Sequence, residues 1–251
     1  MGDVRASGDQ RVPAGSWLPL LAAWAVFLVP LGVFAALAED VAEHEIFPFD
    51  GPVMLWLHSH ATPAWTTLLQ AVTQLGGPVA IPVVAVLLAA VLWRRGRHRD
   101  AGFLAASVLG STGLNMALKA IFRRSRPDFW QHMVVENSYS FPSGHAMASA
   151  SLAACCVVLA WHTRLRRVAL VLAPLYVVAV GVSRMYLGVH YPSDVLAGWC
   201  VAVAWVVVVA SVLGVTSAGL RARPARGRTG PGGSAPARRY PGKPSADPSD
   251  Q

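Results

Sequence analysis

Long apolar runs separated by short polar segments dominate the chain. A helix rises about 1.5 Å per residue, so roughly 20 apolar residues are needed to cross the hydrocarbon core of a bilayer. Six runs approach or exceed this length, and they cover residues 17–38, 76–93, 101–122, 146–161, 168–182 and 195–215. The pattern predicts an all-α, polytopic membrane protein built as a six-transmembrane-helix bundle.

The first run, residues 17–38, admits a second interpretation. Arg5 and Arg11 precede it and Ala36-Leu37-Ala38 ends it, as in a cleaved signal peptide. However, the run is longer than the apolar core of a signal peptide, which has roughly 7 to 15 residues. We therefore expect a spanning helix that stays in the protein.

Residues 47–75, between the first two runs, mix aromatic and polar side chains. Such a mixture predicts an interfacial helical segment between spans 1 and 2. Within it, His58 and His60 raise the hypothesis of a metal site. Alternate residues do not share a face of a helix, and no third ligand is evident nearby, so surface histidines are the better interpretation.

Composition supports the membrane interpretation. The chain is 54% hydrophobic and only 14% charged, which argues against a water-soluble domain. Its net charge of +8 would be compatible with nucleic-acid binding, but the basic residues lie beside apolar runs, where they indicate membrane orientation instead. Cys155, Cys156 and Cys200 all fall inside apolar runs and are interpreted as small core residues rather than disulfides or zinc ligands.

Basic clusters predict the orientation of the bundle. They follow the second, fourth and sixth runs, at residues 94–99, 164–167 and from 221 onward. The positive-inside trend then places both termini in the cytoplasm and the loops 39–50, 123–141 and 185–194 on the outer face of the plasma (cytoplasmic) membrane. Arg123, Arg124 and Arg126 break this trend and need a separate reason.

The same analysis divides the chain into three parts. Residues 1–16 are predicted to be a cytoplasmic N-terminal segment and residues 17–215 the membrane domain. Residues 216–251 are rich in Pro, Gly, Ser and Arg, with little apolar surface to bury, and are predicted to be a disordered, basic cytoplasmic tail.

Three polar islands stand at the ends of apolar runs, at residues 119–127, 140–145 and 183–194. Polar groups at membrane depth are energetically unfavourable, so their presence at the ends of these runs indicates a functional site. On the predicted topology all three islands emerge at the outer surface, and their residues can converge there.

Cations in these islands match a phosphate group. Arg126 and Arg184 offer planar, fork-shaped donors that fit phosphate oxygens, and Lys119 offers a compact positive charge. A phosphate is therefore a suitable ligand for the converged site.

The second island adds a helix start. Pro142 suits the first turn of a helix, whose free amides near Ser143, Gly144 and His145 would form an anion site. Gly144 would allow a close approach of the backbone. The sequence contains no P-loop, so this is not the phosphate site of a P-loop nucleotide triphosphatase.

Histidines supply the remaining chemistry. Asp194 follows His190 by four residues, close enough to fix the imidazole tautomer and leave the other ring nitrogen free to attack phosphorus. His145, beside the helix start, is placed to protonate the leaving oxygen as general acid and then to activate water. No carboxylate cluster that would hold magnesium stands out, so we expect neither a metal nor another cofactor.

Each feature also has a structural explanation. The outward arginines could be interface anchors, Lys119 could extend to the interface, and Pro142-Ser143 could simply begin a helix. The pair His190 and Asp194 could be a structural hydrogen bond. Their combination on one face of the bundle favours a functional site.

The three islands together resemble a known signature. Lys119, six residues and Arg126-Pro127, then Pro142-Ser143-Gly144-His145, then Ser183-Arg184, five residues, His190, three residues and Asp194, are similar to the three-part motif of the type 2 phosphatidic acid phosphatase superfamily. The resemblance covers residues 101–215. It implies a six-helix membrane lipid phosphatase with a His190–Asp194 nucleophile dyad and His145 as acid. Phosphate binding is implied for Lys119, Arg126, Ser143, Gly144 and Arg184.

The expected function is therefore metal-independent hydrolysis of a lipid phosphate monoester or lipid pyrophosphate through a phosphohistidine intermediate at the outer membrane face. Phosphatidic acid, phosphatidylglycerophosphate, diacylglycerol pyrophosphate and undecaprenyl pyrophosphate are all candidate substrates. Two alternatives remain open, a lipid phosphotransferase that uses the same site and a non-catalytic membrane protein that binds an anion or a lipid. The expected partners are the lipid phosphate substrate and membrane lipids, with no nucleic acid.

Overall fold

The computed structural model describes residues 17–45, 47–134 and 136–215, and within these ranges every regular element is an α-helix. The expectations for residues 1–16 and for the tail, residues 216–251, lie outside the described residues. The eight described helices are α1 (Trp17–Ala42), α2 (Asp50–Ser59), α3 (Pro63–Leu75), α4 (Ala80–Arg94), α5 (His98–Phe122), α6 (Gly144–Ala160), α7 (Arg166–Tyr186) and α8 (Pro192–Val212).

Each predicted apolar run forms a helix, namely α1, α4, α5, α6, α7 and α8, so the all-helical prediction is confirmed. Among the described helices, α1 from Trp24 onward, α5, α7 and α8 are each long and apolar enough to cross a membrane. Helices α3 and α4 meet the same test only together, as a pair bent by 43°. Helix α6 has 17 residues and is about 25 Å long, shorter than the roughly 30 Å hydrocarbon core. Length and composition thus support four or five spans, and the count of six is not confirmed.

The predicted helical segment before α4 contains two short helices, α2 and α3. Helix α3 begins where Thr62 accepts a hydrogen bond from the Trp65 amide at 3.3 Å and where Pro63 occupies the first helical position. Gly76 and Gly77 then carry the chain from α3 into α4. An added Cβ at Gly76 would lie 2.5 Å from Val180 of α7, so a glycine lets this bend approach α7 closely.

Helix α6 lies at the centre of the bundle and packs against α4, α5, α7 and α8, while α1 packs on α8 and α3 on α7. Small residues bring these helices close together. Gly110 of α5 lies under the ring of Trp205, and Gly181 of α7 lies under the ring of Trp199. Gly198 of α8 faces the carbonyl of Ser143, which would be 2.9 Å from an added Cβ. The last of these contacts places α8 directly against the start of α6.

Large apolar side chains cover the outside of the bundle. Leu109 is 71% exposed, Ile121 70% and Val212 78%. A water-soluble protein does not present so continuous an apolar surface, whereas a protein surrounded by lipid does. Inside, the largest core cluster joins α4, α5, α6 and α8 and includes the free Cys155, as expected for a small core residue.

Antiparallel packing sorts the loops onto two ends. The end of α5, the start of α6, the end of α7 and the start of α8 lie at one end, and these are the positions of the three polar islands. The turns after α4 and after α6 lie at the other end and carry the basic clusters 94–99 and 164–167. Gly96 makes the first of these turns possible, because its φ of +72° is in the left-handed region.

Candidate active site

His190 lies in the short link between α7 and α8 and is 1% exposed. Its Nδ1 is 3.5 Å from Asp194 Oδ2 and 3.4 Å from Ser140 Oγ. Its Nε2 is 3.3 Å from Arg126 Nη1. The two ring nitrogens therefore have different surroundings, with acceptor oxygens beside Nδ1 and a cation beside Nε2. This is the arrangement in which Nδ1 keeps the proton and Nε2 presents its lone pair.

The imidazole of His190 is held neutral. Burial lowers its pKa to about 3, and although Asp194 opposes this shift, the charges of Arg184 and Arg126 add to it. A neutral imidazole can act as a nucleophile at neutral pH, whereas an imidazolium cannot.

Asp194 is fully buried at the third position of α8, where its carboxylate is close to the free amides of the helix start. Its Oδ2 accepts hydrogen bonds from the Tyr191 amide at 2.9 Å and from the Ser140 hydroxyl. Its Oδ1 accepts one from Arg124 Nη1 at 2.6 Å. Asp194 is thus fixed on both oxygens with Oδ2 directed toward His190.

Arg126 and Arg184 converge on a carboxylate that lies outside the three motifs. Glu136 forms an ion pair with Arg184 Nη2 and lies 3.6 Å from Arg126 Nη2 through its Oε2. Burial acts to raise the pKa of the Glu136 carboxyl, but Arg184 and the other nearby cations outweigh it, so the pKa lies below its usual value. The carboxylate of Glu136 thus lies between the two guanidinium groups, where a negatively charged phosphate oxygen would also fit.

Lys119 and Arg126 are held together by Ser138. Lys119 Nζ donates to Ser138 Oγ at 3.1 Å and to the carbonyl of Tyr139. Arg126 donates to the Ser138 carbonyl at 2.8 Å and to its hydroxyl at 3.2 Å. Because both cations contact the same loop residue, the loop before α6 sets their spacing.

The start of α6 differs in one respect from the expectation. Ser143 occupies the N-cap position without a capping hydrogen bond from its side chain, and its amide donates to the carbonyl of Asp194 at 3.0 Å. This amide is therefore not free to bind an anion. Gly144 and His145 are the first helical residues, whose amides have no acceptor within the helix. An added Cβ at Gly144 would lie 3.1 Å from Asn115 Oδ1, so this glycine packs closely against α5.

Two of the predicted site residues have a buried polar atom without a hydrogen-bond partner within the described residues. They are Ser143, at its Oγ, and Arg184, at its Nε. Buried donors without a partner are unfavourable, and an anion bound between α6 and α7 would satisfy them.

A cavity of about 550 Å³ opens from this cluster, and Lys119, Glu136, Gly144, His145 and His190 line it at one end. From there it continues between α4 and α5 along apolar side chains that include Ile81, Ala85, Val108 and Met116. The three polar islands therefore converge on one site, which joins a polar end to an apolar channel.

Some residues of the site were not predicted. Glu136, Thr73 and Asp50 lie outside the polar islands, and each is tied to a site residue only by the tertiary fold. Arg124 did give a signal, since it was one of the outward arginines that broke the positive-inside trend. It contacts Asp50 and Asp194 instead of anchoring the helix at the interface.

His58 of α2 and His60, just after this helix, lie apart from this cluster. His58 stacks on Trp130 with ring centroids 4.2 Å apart, and His60 Nδ1 contacts the Trp56 carbonyl at 2.8 Å. In the described ranges no group of three His, Cys, Asp or Glu side chains is arranged to hold a metal ion.

Comparison with known proteins places the chain in a family. The model of the PAP2 superfamily matches residues 100–216, the region that holds all three motifs. A phosphatidylglycerophosphatase B of Bacillus subtilis (strain 168) is 34% identical over 149 residues, which are 55% of this chain and 70% of that protein. The chain belongs to the PAP2 superfamily.

Other relatives of this PAP2 protein agree. A decaprenylphosphoryl-5-phosphoribose phosphatase of Mycolicibacterium smegmatis is 31% identical over 118 residues, 46% of this chain and 61% of that protein. The crystal structure of a transmembrane PAP2-type phosphatidylglycerolphosphate phosphatase from Bacillus subtilis superposes with a TM-score of 0.64 at 26% identity, covering 76% of this chain and 94% of that one. The predicted family and the phosphatase type are confirmed, and the chain is an integral membrane protein.

Proposed function

We propose that this PAP2 protein hydrolyses a lipid phosphate monoester or lipid pyrophosphate through a phosphohistidine intermediate on His190. One observation carries the proposal. The cavity places His190, His145 and Lys119 at the polar end of a channel whose remaining walls are apolar. Such a cavity fits a ligand that has a phosphate at one end and a hydrocarbon chain at the other.

In the first step, His190 Nε2 attacks the phosphorus atom, and the bond from phosphorus to the lipid oxygen breaks. Lys119, Arg126 and Arg184 stabilise the charge on the three equatorial oxygens, and the phosphate replaces Glu136 as the anion between the guanidinium groups. His145 donates a proton to the leaving oxygen. The products of this step are the dephosphorylated lipid and a phosphorylated His190.

In the second step, His145, now neutral, accepts a proton from water as the water oxygen attacks phosphorus. The bond from phosphorus to Nε2 breaks and inorganic phosphate leaves. Asp194 stays ionised beside Nδ1 throughout and stabilises the imidazole while Nε2 carries the phosphoryl group. The assignment of His190 as nucleophile and His145 as acid follows the resemblance to the family motif, and it agrees with the position of Nε2, 3.3 Å from Arg126 Nη1.

Phosphatidylglycerophosphate is the substrate that we propose first. Similar proteins from Bacillus subtilis and from Escherichia coli are named as phosphatidylglycerophosphatases, although the Escherichia coli match covers 30% of that protein. A phosphatidyl lipid also fits a channel that begins at a phosphate site and opens between α4 and α5. We further propose six spans, with the site facing outward and both termini in the cytoplasm of the plasma membrane.

A panel assay tests the function. Purified protein is incubated with phosphatidylglycerophosphate, phosphatidic acid and undecaprenyl pyrophosphate in mixed micelles that contain EDTA, and both phosphate and dephosphorylated lipid are measured. We expect equal release of the two products from at least one lipid. Lipid loss without free phosphate would indicate transfer to another hydroxyl, and no loss from any lipid would contradict the proposal.

Variants identify the nucleophile in the same assay. His190→Asn should lower kcat by at least about a thousandfold, because the covalent step is lost. His162→Asn is the matched control, since His162 is exposed at the turn between α6 and α7, at the opposite end of the bundle. Retained activity in His190→Asn would show that another group attacks.

A further inference from the structure

A chain of buried ionic contacts extends from the proposed nucleophile to a helix outside the three motifs. Asp50, the first residue of α2, is 1% exposed even though it lies on a short helix at the end of the bundle. A buried carboxylate is unfavourable unless it is paired and hydrogen-bonded. Asp50 therefore needs its partners to be in fixed positions.

Those partners belong to the site. Asp50 Oδ2 accepts from Arg124 Nη2 at 3.0 Å and from Ser193 Oγ at 2.6 Å, while its Oδ1 accepts from the Ser193 amide at 2.9 Å. Ser193 precedes Asp194 in the first turn of α8. Asp50 thus fixes the start of the helix that carries Asp194.

Arg124 connects the two carboxylates. Its Nη2 donates to Asp50 and its Nη1 donates to Asp194 Oδ1 at 2.6 Å and to Ser193 Oγ at 2.8 Å. The guanidinium lies over the ring of Tyr191, 4.2 Å from its centroid, which fixes its plane. A planar fork can hold two carboxylates in one fixed relation, and a lysine cannot do so.

The charges in this chain have a consequence for His190. Arg124 alone beside Asp194 would neutralise the carboxylate that faces the imidazole. Burial raises the pKa of Asp50, while the hydrogen bonds from Ser193 and Arg124 act against this rise and favour the carboxylate. With Asp50 ionised on the other side of Arg124, the group of two carboxylates and one guanidinium has a net charge of one negative unit. That charge favours the build-up of positive charge on the imidazole ring as Nε2 bonds to phosphorus.

We infer that Asp50 and Arg124 are positioning residues for the phosphotransfer step, which orient Asp194 and preserve its negative charge toward His190. This inference rests on the proposed function. Within the described part of the chain, neither residue forms a hydrogen bond or an ion pair with the cations proposed to bind phosphate, which are Lys119, Arg126 and Arg184. Their loss should therefore affect turnover and spare phosphate binding.

The experiment compares Asp50→Asn, Arg124→Lys and wild type on the lipid that wild type hydrolyses. We expect kcat to fall about tenfold or more in both variants, as when a partner behind a site residue is removed, with KM changed less than twofold. The inhibition constant of inorganic phosphate should stay within twofold of wild type. The double variant Asp50→Asn/Arg124→Lys should lose less than the product of the two single losses, because the residues act together.

Asp100→Asn is the matched control. Asp100 is also ion-paired with an arginine, Arg97, but it lies at the other end of the bundle, so its kcat should equal that of wild type. The inference would be overturned if both single variants fold and keep a kcat within twofold of wild type. It would also be overturned if inhibition by phosphate is lost together with kcat, because this result marks a disrupted phosphate site. If one variant does not fold, the other decides.

Wild-type activity separates this inference from the proposed function. Wild type that releases no phosphate from any lipid overturns the proposed function and the inference with it. An active wild type with unaffected Asp50→Asn and Arg124→Lys overturns the inference alone.

Discussion

The surroundings of His190 explain how a buried histidine remains chemically useful. An unpaired imidazole at 1% exposure would be unfavourable, but both ring nitrogens of His190 have polar neighbours. Ser140 and Asp194 lie beside Nδ1, and Arg126 lies beside Nε2. The arrangement fixes one tautomer, so the lone pair of Nε2 is directed before any substrate binds.

This burial predicts a loss of stability in mild acid. The unfolded chain binds a proton at the ordinary histidine pKa of 6.5, while folded His190 binds one only near a pKa of about 3. The contribution of neutral His190 to the free energy of unfolding is therefore complete above pH 6.5. It is lost as the pH falls from 6.5 toward about 3. Between pH 7 and pH 5 the loss should be about 2 kcal/mol.

Thermal unfolding in detergent at pH 7 and pH 5 measures the effect. The variant His190→Gln removes the titrating group, so its midpoint should fall less than that of wild type between the two pH values. His162→Gln, at an exposed position, should behave like wild type. An identical pH dependence in wild type and His190→Gln would show that folding does not lower the pKa of His190.

At the scale of the helices, the site depends on how α6 and α8 meet. The Ser143 amide donates to the carbonyl of Asp194, so the start of α6 is bonded directly to the first turn of α8. Gly198, one turn further along α8, leaves room for this contact. The same approach sets the position of Gly144 and His145 relative to His190.

Gly198→Ala tests this contact. The new Cβ would lie 2.9 Å from the Ser143 carbonyl and 3.2 Å from the Met147 amide, both backbone atoms that cannot move aside without moving the helix. We expect a loss of stability of about 1–3 kcal/mol, as for other overpacked interiors, together with a reduced kcat. Unfolding midpoints and lipid phosphatase rates provide the two measurements.

Gly113→Ala is the control for the same substitution. Gly113 lies in α5, and an added Cβ there meets no atom within 4 Å. This variant should be as stable as wild type or slightly more stable, since alanine favours a helix over glycine. A Gly198→Ala protein with unchanged midpoint and rate would mean that α8 does not set the position of α6.

At the scale of the whole molecule, the charges are separated by function. The basic turns at residues 94–99 and 164–167 lie at one end of the bundle, and the cations of the candidate site lie at the other. The second group contacts carboxylates and loop carbonyls of the protein itself, so these cations have partners within the bundle. This explains why cations are present on the face that the positive-inside trend predicts to be poor in them.

The proposed orientation predicts which loops are accessible from outside the cell. In a protein whose three cysteines are replaced by alanine, Asp128→Cys on the exposed loop after α5 should react with a membrane-impermeant thiol reagent in intact cells. Arg97→Cys at the opposite end should react only after the membrane is permeabilised. Labelling of Arg97→Cys first would reverse the proposed orientation.

The sequence by itself determined the helices, the motifs and the separation of the basic turns from the site. Apolar run length and local charge are properties of neighbouring residues, so they can be read without a fold. The same holds for the order of Lys119, His145, His190 and Asp194, whose residue types are typical of a phosphate-transfer site. The span count of six is not confirmed, because α6 is short and α4 passes the length test only together with α3.

Only the tertiary structure decided what surrounds those residues. Asp50 reaches Ser193 across 143 positions of sequence, and Glu136 reaches Arg184 across 48. Isolated carboxylates in loops give no local pattern, because their function depends on which cation the packing of other helices brings near them. Burial of these charges, which sets their pKa values and their pairing, is a property of the assembled bundle and of no single segment.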